Sequence, residues 1–181
     1  MGKRSNFERK ARDLYPTPYK ALLPLLPQLE PCTRFFEPCA GDGRLIGYLQ
    51  EHGHICFGAW DIEPGDPCIK RGDALNIISS HDYMERVFIT NSPWERTLLH
   101  RLIIHLSGQH PTWLLFDADW KHTKQAIPFL PYCHRVVSVG RVRWLEGTDA
   151  DQGSDGKDNA AWYFFTRDTG PGPLFYGRTI E

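Results

Sequence analysis

The chain lacks an uninterrupted apolar run of membrane-spanning length, so a soluble protein is expected. Its five cysteines, Cys32, Cys39, Cys56, Cys68 and Cys133, lack any Cys-x-x-Cys spacing. That argues against a zinc knuckle or a disulfide framework, and reduced thiols are expected. The start, MGKRSNFERK, has no apolar stretch of the secretory kind, which points to a cytoplasmic location. The net charge of −1 favours no class of partner, but it is unevenly spread. Residues 1–13 carry Lys3, Arg4, Arg9, Lys10 and Arg12 against Glu8 and Asp13, a local balance of 5 − 2 = +3. Such an arm can touch a phosphate backbone or be only a solvated terminus. We expect a basic arm over residues 1–14 and a single domain over 15–181.

What is present is an alternation of short apolar runs and helical patterns. In YPTPYKALLPLLPQLEP the prolines permit a short helix near residues 18–26 and exclude a long one. TRFFEPCAGDGR reads as a strand entering a glycine turn, and RLIGYLQEHG as a helix closed by Gly53. HICFGAWDIEP is a second strand ending in an acid, and KRGDAL a loop. ERVFITNSPW is a third strand, RTLLHRLIIHLSGQH a helix stopping at Gly108, and TWLLFDADW a fourth strand. A helix is expected over residues 121–130. HRVVSVGRVRW and NAAWYFFTR suggest an antiparallel hairpin at one edge. Together these imply an α/β fold with a doubly wound, mostly parallel sheet and a C-terminal antiparallel hairpin. Ligands bind such sheets beyond the carboxyl ends of the strands, here Glu37, Asp61, Asn91 and Asp117.

Gly41 and Gly43 open a helix, but Ile46 stands where a dinucleotide fold has its third glycine. Glu37 and Asp42 flank the turn and would repel a pyrophosphate. An ammonium or sulfonium group suits Glu37 better. Asp61 follows Glu37 by 24 residues, where an acid accepts from both hydroxyls of a ribose. Asp73 is placed to accept from an adenine amine. Each acid singly also fits a helix cap or a solvated loop, but three beside a glycine turn mark a site.

At the third strand end stand Asn91, Ser92, Pro93 and Trp94, which as a bland alternative form a capped Asn-Ser-Pro turn. Asp117 and Asp119 can take a released proton or orient Lys121, or serve as a cap and a surface acid. EGTDADQGSDGKDN fails as a calcium loop, because Gly153 stands where a ligand belongs and Ser154 where glycine belongs. An acidic loop is expected there, and its charge opposes nucleic acid on that face.

The succession YPTP, EPCAGDG, WDIEP, GDAL and NSPW resembles the class I methyltransferases that use S-adenosylmethionine, most of all compact phage-type DNA N6-adenine methyltransferases. It runs from about Tyr15 to Phe165. The resemblance implies a Rossmann-like fold and S-adenosyl-L-methionine as cofactor, with no metal. It places Tyr15, Thr17 and Pro18 near the methionine end. Glu37, Ala40, Gly41 and Gly43 would form the cofactor turn, Asp61 would take the ribose, Ile62 would pack on the adenine, and Asp73 would hold its amine.

Asn91, Ser92, Pro93 and Trp94 match a family motif of Asp or Asn, two prolines and an aromatic. Ser92 departs from it at the first proline. An exocyclic amine is a poor nucleophile, because its lone pair is shared with the ring. Two fixed acceptors, Asn91 Oδ1 and a carbonyl of the Ser92–Pro93 turn, would favour a pyramidal nitrogen, and Trp94 would stack the base. Carbon-5 methylation would need a Pro-Cys nucleophile. The Pro-Cys pairs at 31–32, 38–39 and 67–68 all precede the strand ending in Asn91, so these cysteines are expected in core or loops.

In GRVRW, Arg141, Arg143 and Trp144 match an Arg-containing strand of the family, although ordinary edge strands alternate in the same way. The expected partner is nucleic acid, DNA ahead of RNA, in the host cytoplasm if the chain is phage-encoded. RNA or protein-glutamine methylation, and an inactive nucleic-acid- or cofactor-binding protein, remain alternatives. Oligomeric state is left open.

Overall fold

The computed structural model describes residues 15–78, 86–144, 156 and 158–178. The arm 1–14, and the acidic loop 145–157 apart from Gly156, lie outside the described residues. Eight strands form one sheet: β1 (Arg34–Glu37), β2 (Ile55–Asp61), β3 (Lys70–Arg71), β4 (Val87–Asn91), β5 (Thr112–Asp117), β6 (Cys133–Arg141), β7 (Asn159–Phe165) and β8 (Leu174–Tyr176). Their spatial order is β3-β2-β1-β4-β5-β7-β6-β8. The first five are parallel, β7 runs against both β5 and β6, and β8 is parallel to β6.

Side chains alternate across a strand, and that period divides the core in two. Phe36, Phe88, Leu114, Phe116 and Tyr163 face α3 (Arg96–Ser107), whose Leu99, Leu102, Ile103 and Leu106 recur at helical spacing. Their neighbours Phe35, Ile89, Trp113, Leu115 and Trp162 face α1 (Tyr19–Leu22) and α2 (Arg44–Glu51), which bury Leu22, Leu45 and Leu49. Fully burying one such side chain contributes about 1.5–3 kcal/mol. The sheet is therefore covered on both faces, as the alternating pattern implied.

The hairpin forms, but not simply at an edge. β7 lies between β5 and β6, and β8 covers the outer side of β6. Ala160 to Tyr163 and Phe165 are all buried, and a strand apolar on both faces is best placed inside a sheet. The expected helix over 121–130 is replaced by short 3-10 turns at Ala118–His122, Lys124–Ala126 and Leu130–Tyr132. Thr123 is extended, at φ −88° and ψ 152°, and Pro128 and Pro131 have no N–H to continue a helical ladder. α1 spans only Tyr19–Leu22 of the expected 18–26, and Pro24 lies just beyond it.

Chain order turns back between β1 and β4. From β1 the chain moves outward through β2 and β3, then returns to the other side as β4. A crevice opens where the two directions part, beyond the carboxyl ends of these strands. Among the described residues, no helix is long and apolar enough to cross a membrane.

Candidate active site

A cavity of about 350 Å³ occupies this crevice. Its first wall is the glycine turn after β1. Gly41 and Gly43 have φ of 53° and 81°, left-handed values that a side chain would strain. The turn is held from β2: the Gly41 N–H donates to Asp61 Oδ2 at 2.7 Å, and the Glu63 N–H to Asp61 Oδ1 at 2.8 Å. The Gly65 N–H also donates to the Gly41 carbonyl, at 2.8 Å. Asp61 thus fixes the turn while each carboxylate oxygen keeps further acceptor capacity. Asp73 Oδ1 accepts from the Leu75 N–H at 2.9 Å and caps a 3-10 turn beside the cavity.

Glu37 is 1% exposed, and its Oε2 has no hydrogen-bond partner among the described residues. Burial raises its carboxyl well above the usual range, and the charges of Asp42 and Asp61 add to this. An unpaired buried carboxyl is costly, and a cation brought into this crevice would favour its ionised form. Cys39 lines the cavity, with its thiol pushed up to about 12 by burial and by Asp61 and Glu37. It is not a thiolate near neutral pH, so its position does not make it a nucleophile.

The second wall follows β4. Asn91 Nδ2 donates to the Tyr15 carbonyl at 3.0 Å. A carbonyl only accepts, so this bond fixes the amide orientation and leaves Oδ1 on the other side. Among the described residues Oδ1 has no hydrogen bond. Ser92 is buried, and its hydroxyl donates weakly to the Leu115 carbonyl of β5 at 3.4 Å. Trp94, half-buried, meets Trp144 edge to face with centroids 5.5 Å apart and planes at 88°.

Beyond it Glu95 caps α3, accepting from the Thr97 and Leu98 N–H groups at 2.9 and 2.7 Å. Arg96 pairs with Asp117, which also accepts from the Asp119 N–H at 2.9 Å. Lys121 donates to the Ala118 carbonyl at 2.7 Å. Asp117 and Lys121 are thus committed to the end of β5, and Asp119 is exposed.

The fold brings Tyr15, Thr17, Ala40, Gly41, Asp61 and Ile62 around one cavity, with Asp73, Asn91 and Pro93. Glu37 lies buried at the end of β1, and Gly43 precedes α2 as its N-cap. Pro18 caps α1, away from the lining. Ser92 and Trp94 flank the cavity without lining it. Arg141 is exposed at the end of β6, while Arg143 and Trp144 are partly buried. Sequence reasoning missed Glu63 and Gly65, although the Pro64-Gly65 pair signalled a turn. It also missed that Leu98 and Leu102 of α3 reach the cavity. Among the described residues no group of three or more His, Cys, Asp or Glu is placed to hold a metal ion.

The sequence matches no family model and no curated protein. Its fold matches solved structures. One is the 23S rRNA methyltransferase ErmE, with TM-score 0.52 and 13% identity over 83% of this chain and 68% of that one. Another is the type I restriction enzyme EcoKI M protein, with TM-score 0.51 and 16% identity. That match covers 87% of this chain but 45% of the EcoKI protein, so this chain spans under half its length. At such identities the shared property is architecture, and that architecture is the Rossmann-like class I methyltransferase fold.

Proposed function

We propose that this chain is an S-adenosylmethionine-dependent methyltransferase acting on an exocyclic amine, adenine N6 in DNA. The observation that carries it is Asn91. Its amide is locked by the 3.0 Å bond to Tyr15, and its remaining acceptor lies at the cavity formed by the glycine turn, Asp61 and Asp73. The fold shared with a methyltransferase acting on 23S rRNA and with a restriction-system M protein supports the same direction.

The residues fit the cofactor. A cavity of about 350 Å³ is of ordinary ligand size. Asp61 would accept from the ribose, Asp73 from the adenine amine, and Ile62 would cover the ring. Glu37, with its orphaned Oε2, would offer a negative charge to the cationic methionine end, near Tyr15 and Thr17. Pro18, Ala40, Gly41 and Gly43 shape this side. When bound, the cofactor supplies an electrophilic methyl group.

The chain's own residues hold the amine. Asn91 Oδ1 accepts one N–H, a carbonyl of the Ser92–Pro93 turn accepts the other, and the nitrogen lone pair is left free to point at the methyl donor. Pro93 restricts the turn, and Trp94, braced by Trp144, offers a face to the base. Arg141 and Arg143 would meet the polynucleotide.

The test incubates the protein with labelled S-adenosylmethionine and separate DNA, RNA and protein pools, then identifies the product by mass spectrometry. N6-methyladenine in DNA is expected. Label confined to RNA or to glutamine would move the substrate, and no label in any pool would contradict transfer itself.

A further inference from the structure

Reversal of β7 has an effect at the far side of the sheet. Because β7 runs against both β5 and β6, β6 and β8 run parallel to β4, and their carboxyl ends reach the edge where Asn91 lies. Arg141 ends β6, and Arg178 follows β8 by two residues. Gly140, at φ 82°, forms a seat for the second arginine. A Cβ on Gly140 would fall 3.3 Å from Arg178 Nη1 and 3.6 Å from its Cζ. The guanidinium therefore rests on bare backbone beside Arg141.

Both arginines are exposed, and neither forms an ion pair with a described residue. Asp158 is near, since Arg141 is in register with Asn159, but it pairs with neither. Three residues after Arg141, Trp144 meets Trp94, which follows the Asn91 turn. Guanidinium, indole and amide thus succeed one another along one edge.

We propose that Arg178 and Arg141 form a phosphate-binding ridge, so that the substrate is a polynucleotide strand crossing the ends of β8 and β6 toward Trp94. The inference rests on the nucleic-acid substrate proposed above. Phosphates at the arginines would set the register of the strand, while the tryptophans and Asn91 would take the base. A free nucleoside or a protein side chain has no repeated anion to span this edge. Asp149, Asp151 and Asp155, outside the described residues, oppose a polyanion by charge, so salt dependence is the informative readout.

The experiment measures anisotropy of a labelled single-stranded oligonucleotide over a range of salt, without cofactor, for wild type, Arg178→Ala and Arg141→Ala. Each variant is expected to weaken binding several-fold at low salt. Each should also flatten the slope of log affinity against log salt by roughly 0.7, the value for one lost phosphate contact on a single strand. Thermal midpoint and cofactor affinity should stay unchanged.

Unaltered affinity and slope in both variants would overturn the ridge, even if the wild type methylates DNA. Wild type that takes up the cofactor but binds no oligonucleotide would overturn both the ridge and the nucleic-acid substrate. Arginine-dependent binding with no methyl transfer would uphold the ridge and contradict the proposed reaction.

Discussion

The two walls of the cavity are built on different principles. On the β1–β2 side each acid serves twice. Asp61 accepts from two backbone N–H groups and Asp73 from one, and both keep acceptor capacity toward the cavity. On the β4 side, Asn91 is held by a single bond from its Nδ2, so its Oδ1 remains available. Removing an acid from the first wall should therefore disturb shape and binding together. Changing Asn91 should disturb chemistry alone.

The largest effect is expected for Asp61→Ala. It removes two charge-assisted hydrogen bonds, each contributing about 1.5–3 kcal/mol, and loosens the glycine turn. Calorimetry should find cofactor binding abolished, and melting should show a less stable protein. Full affinity in this variant would erase the distinction between the walls.

Next comes Asn91→Ala. Loss of one fixed polar contact to the reacting group typically lowers kcat by about 10²–10³-fold. Cofactor affinity should hold within about twofold, as read by titration. A parallel loss of affinity would make Asn91 a structural residue of the first wall.

Glu37 sharpens the contrast through pH. Its folded-state pKa is raised, so the unfolded chain releases this proton first as pH rises. The stability that Glu37 lends is thus fully present below its unfolded value, near 4.3, and is lost as pH rises toward its folded value. Melts of the cofactor-free protein should show this decline, and Glu37→Gln should flatten it while weakening the cofactor. An identical pH profile in the variant would remove Glu37 from the account of the site.

A smaller pH effect of opposite sign belongs to the second wall. Trp120 Nε1 donates to His100 Nε2 at 3.1 Å, and burial, then the charge of Arg96, lowers the His100 pKa. The unfolded histidine takes up a proton first as pH falls below about 6.5, so stability declines from there toward the folded value. His100→Gln should flatten that part of the profile.

The smallest effect is expected for Ser92→Ala. Its hydroxyl bond is long, at 3.4 Å, and points to β5, so stability should change by no more than about 1 kcal/mol and turnover by less than threefold. A large loss of turnover would place that hydroxyl in the chemistry.

The strand ends were legible because each is an apolar run stopped by one polar residue, as at Glu37, Asp61, Asn91 and Asp117. Two short edge strands were not. β3 has two residues and β8 three, too few to show a period. Prolines in residues 121–132 were present in the sequence, but apolar spacing there imitated a helix. Within the site, Asp61, Asp73 and Asn91 could be found one by one. Glu63 and Gly65 could not, because they reach the cavity through the fold of a loop. Arg178 was hidden for a related reason: its nearness to Gly140 comes from pairing between β6 and β8, 38 positions apart in sequence.

The central claim, that Asn91 activates an amine at a site built to hold the cofactor, is tested most directly by one paired measurement. Wild type and Asn91→Ala are given labelled S-adenosylmethionine and adenine-containing DNA, with cofactor binding measured on the same samples. Equal binding with N6-methyladenine formed only by the wild type is the expected result. Methyladenine formed at wild-type rate by Asn91→Ala would contradict it.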